Sequence, residues 1–144
     1  MFIREVTKED VYELRHRILR PKMPIEEIMY DTDNENSTFH LGAYIDDVLV
    51  GIASFNFEVN KDLPDYKQFR LRAMAVTPEC RNKGVGKMIV LNAIDKLKTT
   101  DTKILWCKGR TNVIGYYNKL GFEAFGSSFD YPGIGEHIIL FKNI

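Results

Sequence analysis

The sequence predicts an α/β (α+β) fold: one mixed, mostly antiparallel sheet with helices on its faces. Three observations carry this. The chain has 144 residues, enough for one domain with one core. Hairpin-like pairs of β-rich runs dominate its first half. A strand–helix–strand unit spans Gln68 to Lys108, and such a unit joins parallel strands by a right-handed crossover.

The elements follow in order. "FIREV" (Phe2–Val6) reads as a short strand, and "TKED" (Thr7–Asp10) as a capping box with Asp10 in place of the usual Glu or Gln. Val11, Leu14 and Ile18 recur at helical spacing, so a first helix runs to about Leu19, and Pro21 and Pro24 end it. "PIEEIMYD" reads as a second short helix and "DTDNENST" as a polar loop. "FHLGAYI" and "LVGIASFNF" are strands around an Asp46-Asp47 turn, and "EVNKDLPDYK" is a polar connection. "QFRLRAMAV" (Gln68–Val76) is the next strand, stopped at Thr77-Pro78 because proline cannot donate to a ladder.

A helix starts near Gly86, with Ile89, Ala93 and Leu97 on one stripe. "KILWCK" (Lys103–Lys108) is a buried-type strand. "TNVIGYYNKLGF" carries Val113, Tyr117 and Leu120 at helical spacing, with Gly121 at the position just past a helix end. "FEAFGSSF" and "EHIILFK" close the sheet around the turn "DYPGIG".

Bulk properties narrow the function. Twenty basic residues balance twenty acidic ones, so no overall field favours nucleic acid or an anionic membrane. The N-terminus is charged from its fourth residue, unlike a signal peptide, and no apolar run approaches the roughly 20 residues that span a bilayer. Cys80 and Cys107 form neither a metal pattern nor a disulfide framework, and His16 and His40 have no metal-like spacing. The expectation is a reduced, cytoplasmic protein without a metal.

The segment "ECRNKGVGK" (Glu79–Lys87) carries the strongest chemical signal. A helix N-terminus offers unpaired N–H groups and partial positive charge. Glycines allow close backbone approach and positive φ, and Arg81, Lys83 and Lys87 add formal charge. A P-loop is excluded because Met88 follows Gly86-Lys87 and Arg81 stands where its first glycine belongs. A dinucleotide fingerprint is excluded because residue 89 is Ile. A nucleotide-binding protein is disfavoured accordingly.

The wider stretch "LRAMAVTPECRNKGVGKMIV" resembles the acyl-CoA-binding segment of the GNAT superfamily of N-acetyltransferases. Arg81, Gly84 and Gly86 fill that family's Arg/Gln-x-x-Gly-x-Gly/Ala signature. Asn112, Tyr116-Tyr117 and Gly121-Phe122 match its second feature. The resemblance covers nearly the whole chain, residues 1–144 as one acyl-CoA N-acyltransferase domain, and is weakest before residue 40.

The resemblance implies that acetyl-CoA is the co-substrate and that an acetyl group passes to an amine by direct attack in a ternary complex. Its pyrophosphate would lie on Arg81, Asn82, Lys83, Gly84, Val85, Gly86 and Lys87. Its pantetheine arm would pair with the main chain of Met74, Ala75 and Val76, between two parallel central strands that splay apart, with Asn112 nearby. Tyr117 would be the general acid, whereas its place on an apolar stripe, taken alone, favours a core aromatic.

The base stays open. "QFRLRAMAV" has no carboxylate, leaving Glu58, Glu136, His137 or a water chain. Arg70 and Arg72 share one strand face, read first as a solvated or paired edge face and second as a site for an anionic part of the substrate. Cys107 reads as a buried structural thiol rather than a covalent nucleophile. The acceptor is expected to be a small-molecule amine rather than a protein, since no groove-forming insertion is visible. The family resemblance also allows a homodimer. A non-catalytic acyl-CoA sensor is the alternative class.

Overall fold

The computed structural model describes all 144 residues. Seven strands form one sheet: β1 (Phe2–Val6), β2 (Phe39–Ile45), β3 (Val48–Phe57), β4 (Gln68–Val76), β5 (Ile104–Arg110), β6 (Glu123–Tyr131) and β7 (Gly135–Asn143). Their spatial order is β1-β2-β3-β4-β5-β7-β6. Every neighbouring pair is antiparallel except β4–β5, the pair joined by a helix.

Local chemistry explains the front half. The Thr7 side chain accepts from the Asp10 N–H at 3.2 Å while the Asp10 carboxylate accepts from the Thr7 N–H at 3.0 Å, so the shortened box closes. Asp46 and Asp47 hold φ of 50° and 64°, the pair of positive values that a two-residue hairpin needs and that Asp tolerates.

The first helical stretch ends at Leu19 as expected, but it changes type on the way. Regular α-helix α1 covers Lys8–Leu14, and Arg15–Leu19 continues as a π-helical turn. That wider turn carries the Arg15 side chain to full burial, where it makes four hydrogen bonds described below. The segments read as a second helix and a polar loop are single 3₁₀ turns, Ile25–Ile28 and Asp31–Asn34.

Helix α2 (Val85–Leu97) buries Val85, Ile89, Val90, Ala93, Ile94 and Leu97 in the main core with Phe39, Leu41, Phe55, Leu71 and Leu105. Helix α1 covers a second cluster, in which Val11 and Leu14 meet Ile52 and Ala75. Leu63, Ile104 and Trp106 form a third. No helix is long and apolar enough to cross a membrane.

Two features of the sheet create the site. The β4–β5 ladder pairs only Gln68 with Ile104, Phe69 with Leu105 and Arg70 with Trp106. Beyond these pairs β5 stays on β7 as far as Arg110, while β4 stays on β3 as far as Val76, so the two parallel strands part. A bulge at Ala73, whose φ is +55°, shifts the β3–β4 register between Arg72 and Ala75. The bulge reverses the alternation of faces. Arg70 and Arg72 precede it on one parity, and Ala75 follows it on the other yet still packs toward α1.

Arg70 and Arg72 do not lie on a solvated or edge face, although Arg70 is paired, with Glu58 at 3.0 Å. Strand β4 is fourth of seven, and Arg70 is 6% exposed. Strand parity put both residues on one face, but the position of the strand within the sheet depends on pairings that parity does not contain.

Candidate active site

The loop between β4 and α2 presents a run of free donors. After a 3₁₀ turn at Pro78–Cys80, Asn82 and Gly84 take positive φ (62° and 78°) and α2 starts at Val85. The Arg81 N–H bonds to the Pro78 carbonyl at 3.3 Å, and the Met88 N–H bonds to the Gly84 carbonyl at 3.0 Å. Between them, the N–H groups of Asn82, Lys83, Gly84, Val85, Gly86 and Lys87 have no partner within the protein. Arg81, Lys83 and Lys87 are exposed around them. Six free donors at a helix start, ringed by cations, suit an anion with several oxygens.

The two glycines serve different ends. A Cβ at Gly84 would meet nothing within 4 Å, so its positive φ is what requires glycine. At Gly86 the backbone is ordinary, but a Cβ would collide with the Tyr116 hydroxyl. Gly86 therefore lets α3 (Ile114–Lys119) close onto the start of α2.

Next to this loop, Met74, Ala75 and Val76 run along the parted stretch of β4, with no strand pairing on the β5 side. Asn112 sits exposed on the 3₁₀ turn Thr111–Val113 that leads into α3.

Tyr117 is held from three sides. Its ring meets Tyr116 edge-on at 5.3 Å and Phe122 edge-on at 5.6 Å. A Cβ at Gly109 of β5 would lie 3.4 Å from it. The end of α3 fixes this geometry as a Schellman motif: the Phe122 N–H bonds to the Tyr117 carbonyl and the Gly121 N–H to the Asn118 carbonyl, both at 3.0 Å, with Gly121 at φ 91°. Burial and the facing Cys107 thiol hold the Tyr117 phenol well above its ordinary range. Burial pushes the Cys107 thiol itself up to about 12. At neutral pH both are protonated. Tyr117 can donate a proton, and Cys107 is a poor nucleophile.

Where β4 and β5 part, a crevice of about 80 Å³ opens, lined by Arg70, Arg72, Cys107, Tyr117 and His137 among others. Arg70 donates to Glu58 at 3.0 Å and its guanidinium lies 5.2 Å from the Trp106 ring centre. Arg72 lies 3.8 Å from the ring centre of Tyr30 and forms no hydrogen bond or ion pair. Burial, followed by the neighbouring Arg70 charge, holds the Arg72 guanidinium below its ordinary range.

The three base candidates separate clearly. The Glu58 carboxylate is taken by Arg70 and the Asn56 amide. The Glu136 carboxylate accepts from Thr111 and Ser128. His137 lines the crevice, and its Nδ1 donates to the Gly135 carbonyl at 2.9 Å. That bond leaves a lone pair on Nε2 in the neutral ring.

The sequence reading missed a buried network behind Tyr30. Arg15, 0% exposed, binds both Asp33 oxygens (2.7 and 3.1 Å), the Ile28 carbonyl (2.6 Å) and the Ser54 hydroxyl (2.7 Å). Asp33 also accepts from the Tyr30 N–H at 2.9 Å, and Ser54 meets His40 Nδ1 at 2.7 Å. The Tyr30 ring thereby has the Arg15 guanidinium over it at 4.3 Å as well as that of Arg72. One signal was available: Arg15 interrupts the apolar stripe Val11, Leu14, Ile18.

Comparison with known proteins gives a consistent result. The model of the acetyltransferase (GNAT) family matches residues 7–122. The YitI protein of Bacillus subtilis strain 168, named as an uncharacterized N-acetyltransferase, is 39% identical over 142 residues, covering 99% of this chain and 95% of that one. The ribosomal-protein-S18-alanine N-acetyltransferase from Escherichia coli superposes with a TM-score of 0.75 at 17% identity, covering 99% and 93% of the two chains. A Bacillus subtilis acetyltransferase in complex with CoA superposes with a TM-score of 0.66 at 19% identity, covering 99% and 97%.

Proposed function

Because the chain belongs to the GNAT family of acetyltransferases, we propose that it moves an acetyl group from acetyl-CoA to a small-molecule amine by direct attack within a ternary complex. The whole chain, residues 1–144, serves as one acyl-CoA N-acyltransferase domain. The observation that carries this reading is the junction of three features: the free N–H run, the parted β4 edge and the protonated Tyr117.

In this reading Arg81, Asn82, Lys83, Gly84, Val85, Gly86 and Lys87 hold the pyrophosphate. Met74, Ala75 and Val76 pair with the amides of the pantetheine arm as an added strand. Asn112 lies beside that arm. The CoA complex of the Bacillus subtilis relative supports the co-substrate. The thioester then sits in the parted gap, and a main-chain N–H near Met74 polarises its carbonyl.

The amine nitrogen attacks the carbonyl carbon and the C–S bond breaks. Tyr117 gives its proton to the departing sulfur. The proton lost by the amine passes to His137 Nε2, chosen over Glu58 and Glu136 because both carboxylates are engaged elsewhere. Holding both reactants side by side supplies much of the rate. The small crevice supports a small acceptor over a protein one.

Substituting Tyr117→Phe tests the assignment. Turnover should fall by roughly 10²–10⁴-fold while the Kd for acetyl-CoA changes little. Unchanged turnover would remove Tyr117 from the mechanism. His137→Ala should lower kcat/KM for the amine by at least about tenfold while leaving the Kd for acetyl-CoA little changed; an unchanged rate would return the base to solvent.

A further inference from the structure

We infer that the acceptor amine carries an anionic group, a carboxylate or a phosphate, a few bonds from its nitrogen, and that Arg72 is the residue that receives it. The inference rests on the acetyl-transfer reading above and deepens it.

The crevice lining is one-sided in charge. Arg20, Arg70, Arg72 and Lys108 all face it, and no carboxylate does. Each cation has a different status. Arg70 is neutralised by Glu58 from outside the lining. The Arg20 guanidinium donates only to the Leu19 carbonyl, and Lys108 lies 5.8 Å from the Tyr131 ring centre. Arg72 is half-buried, adjoins a second guanidinium and has no anionic or hydrogen-bonding partner. A half-buried guanidinium with no ion pair keeps donors free for an anion that enters the crevice.

Stacking decides which part of Arg72 is available. Tyr30 covers a face of the guanidinium, leaving its in-plane N–H fork for bidentate contact with a carboxylate or phosphate. Tyr30 is itself fixed by Asp33 and Arg15, so the fork is held in position before any ligand binds. Arg70 Nε is buried without a partner on a side chain only 8% exposed. Tyr117 lines the same crevice, so the anionic group and the reacting nitrogen would share it. Cationic acceptors such as polyamines or lysine side chains bring a second positive charge into this lining and are disfavoured.

The test measures thiol release from acetyl-CoA with matched amines. Glutamate and aspartate form one arm, O-phosphoserine and phosphoethanolamine a second, and ethanolamine, putrescine and spermidine a third. The expected result is a kcat/KM at least about tenfold higher in the first or second arm than in the third, with added salt raising KM for the preferred arm. Which anionic arm wins identifies the group. The anionic-to-neutral ratio of kcat/KM should collapse by about tenfold or more in Arg72→Gln and recover in part in Arg72→Lys.

Neutral or cationic amines that react as well as the anionic ones would overturn the inference while leaving acetyl transfer intact. Acetyl-CoA binding without thiol release on any amine would instead overturn the acetyl-transfer reading. Because the amine panel uses the unaltered chain, it decides the matter even if an Arg72 variant fails to fold.

Discussion

Replacing Asp33 by Ala should be among the most damaging single changes outside the main core. The carboxylate makes three bonds: two to Arg15 at 2.7 and 3.1 Å and one to the Tyr30 N–H at 2.9 Å. Without it, Arg15 stays fully buried with only the Ile28 carbonyl and Ser54 hydroxyl as partners, and its Nε is already unsatisfied. Breaking a buried pair from one side costs about 3–5 kcal/mol, because the remaining charge is left uncompensated. An unfolding entropy of about 2.1 cal/mol/K per residue gives roughly 0.3 kcal/mol/K for a chain of this length, so the melting temperature should drop by about 10–16 °C. Calorimetry of Asp33→Ala, Arg15→Met and the double variant measures the coupling directly. The double variant should lose less than the two single losses combined. A melting point within about 3 °C of the parent, or losses that simply add, would refute the idea that this pair holds the front of the molecule together.

Further outcomes follow from the same geometry. Cys107→Ala should keep turnover within about tenfold, whereas loss of a covalent nucleophile would cost orders of magnitude more; steady-state rates decide between them. Since the folded thiol titrates near 12 and an unfolded one near 9.0, the native state binds the extra proton between those values. The Cys107 contribution to stability is therefore complete below pH 9 and lost as pH rises toward 12, and denaturant midpoints in Cys107→Ala should fall less steeply over that window. Gly84→Ala should cost about 1 kcal/mol from backbone strain alone, since its Cβ meets nothing. Gly86→Ala should change the melting point little, because the colliding Tyr116 hydroxyl ends a half-exposed, movable side chain, but should weaken acetyl-CoA binding in calorimetric titrations.

Elements governed by local chemistry were legible in the sequence. The bounds of β4, the Asp46-Asp47 turn, the Thr7–Asp10 box and the Gly121 stop each depend on residues a few positions apart. The parallel β4–β5 pair followed from the crossover rule, and the donor loop followed from its glycine and cation spacing. What stayed hidden depends on distant partners. Asp33 looks like part of a solvated loop until Arg15, 18 positions earlier, is brought against it. The alanine bulge at residue 73 has no composition of its own, since glycine or asparagine is the usual marker of positive φ. The close approach at Gly86 comes from Tyr116, thirty positions later. The unpaired state of Arg72 is a fact about every side chain around it, so strand parity could place it on a face but could not reveal that it forms no ion pair or hydrogen bond.

The most direct measurement is thiol release from acetyl-CoA by the purified chain across an amine panel, with the product identified by mass. Free CoA and acetylated amine should appear in equal amounts, at rates that depend on both substrates together and collapse in Tyr117→Phe. Bound acetyl-CoA with no thiol release above the enzyme-free rate on any amine would contradict the account.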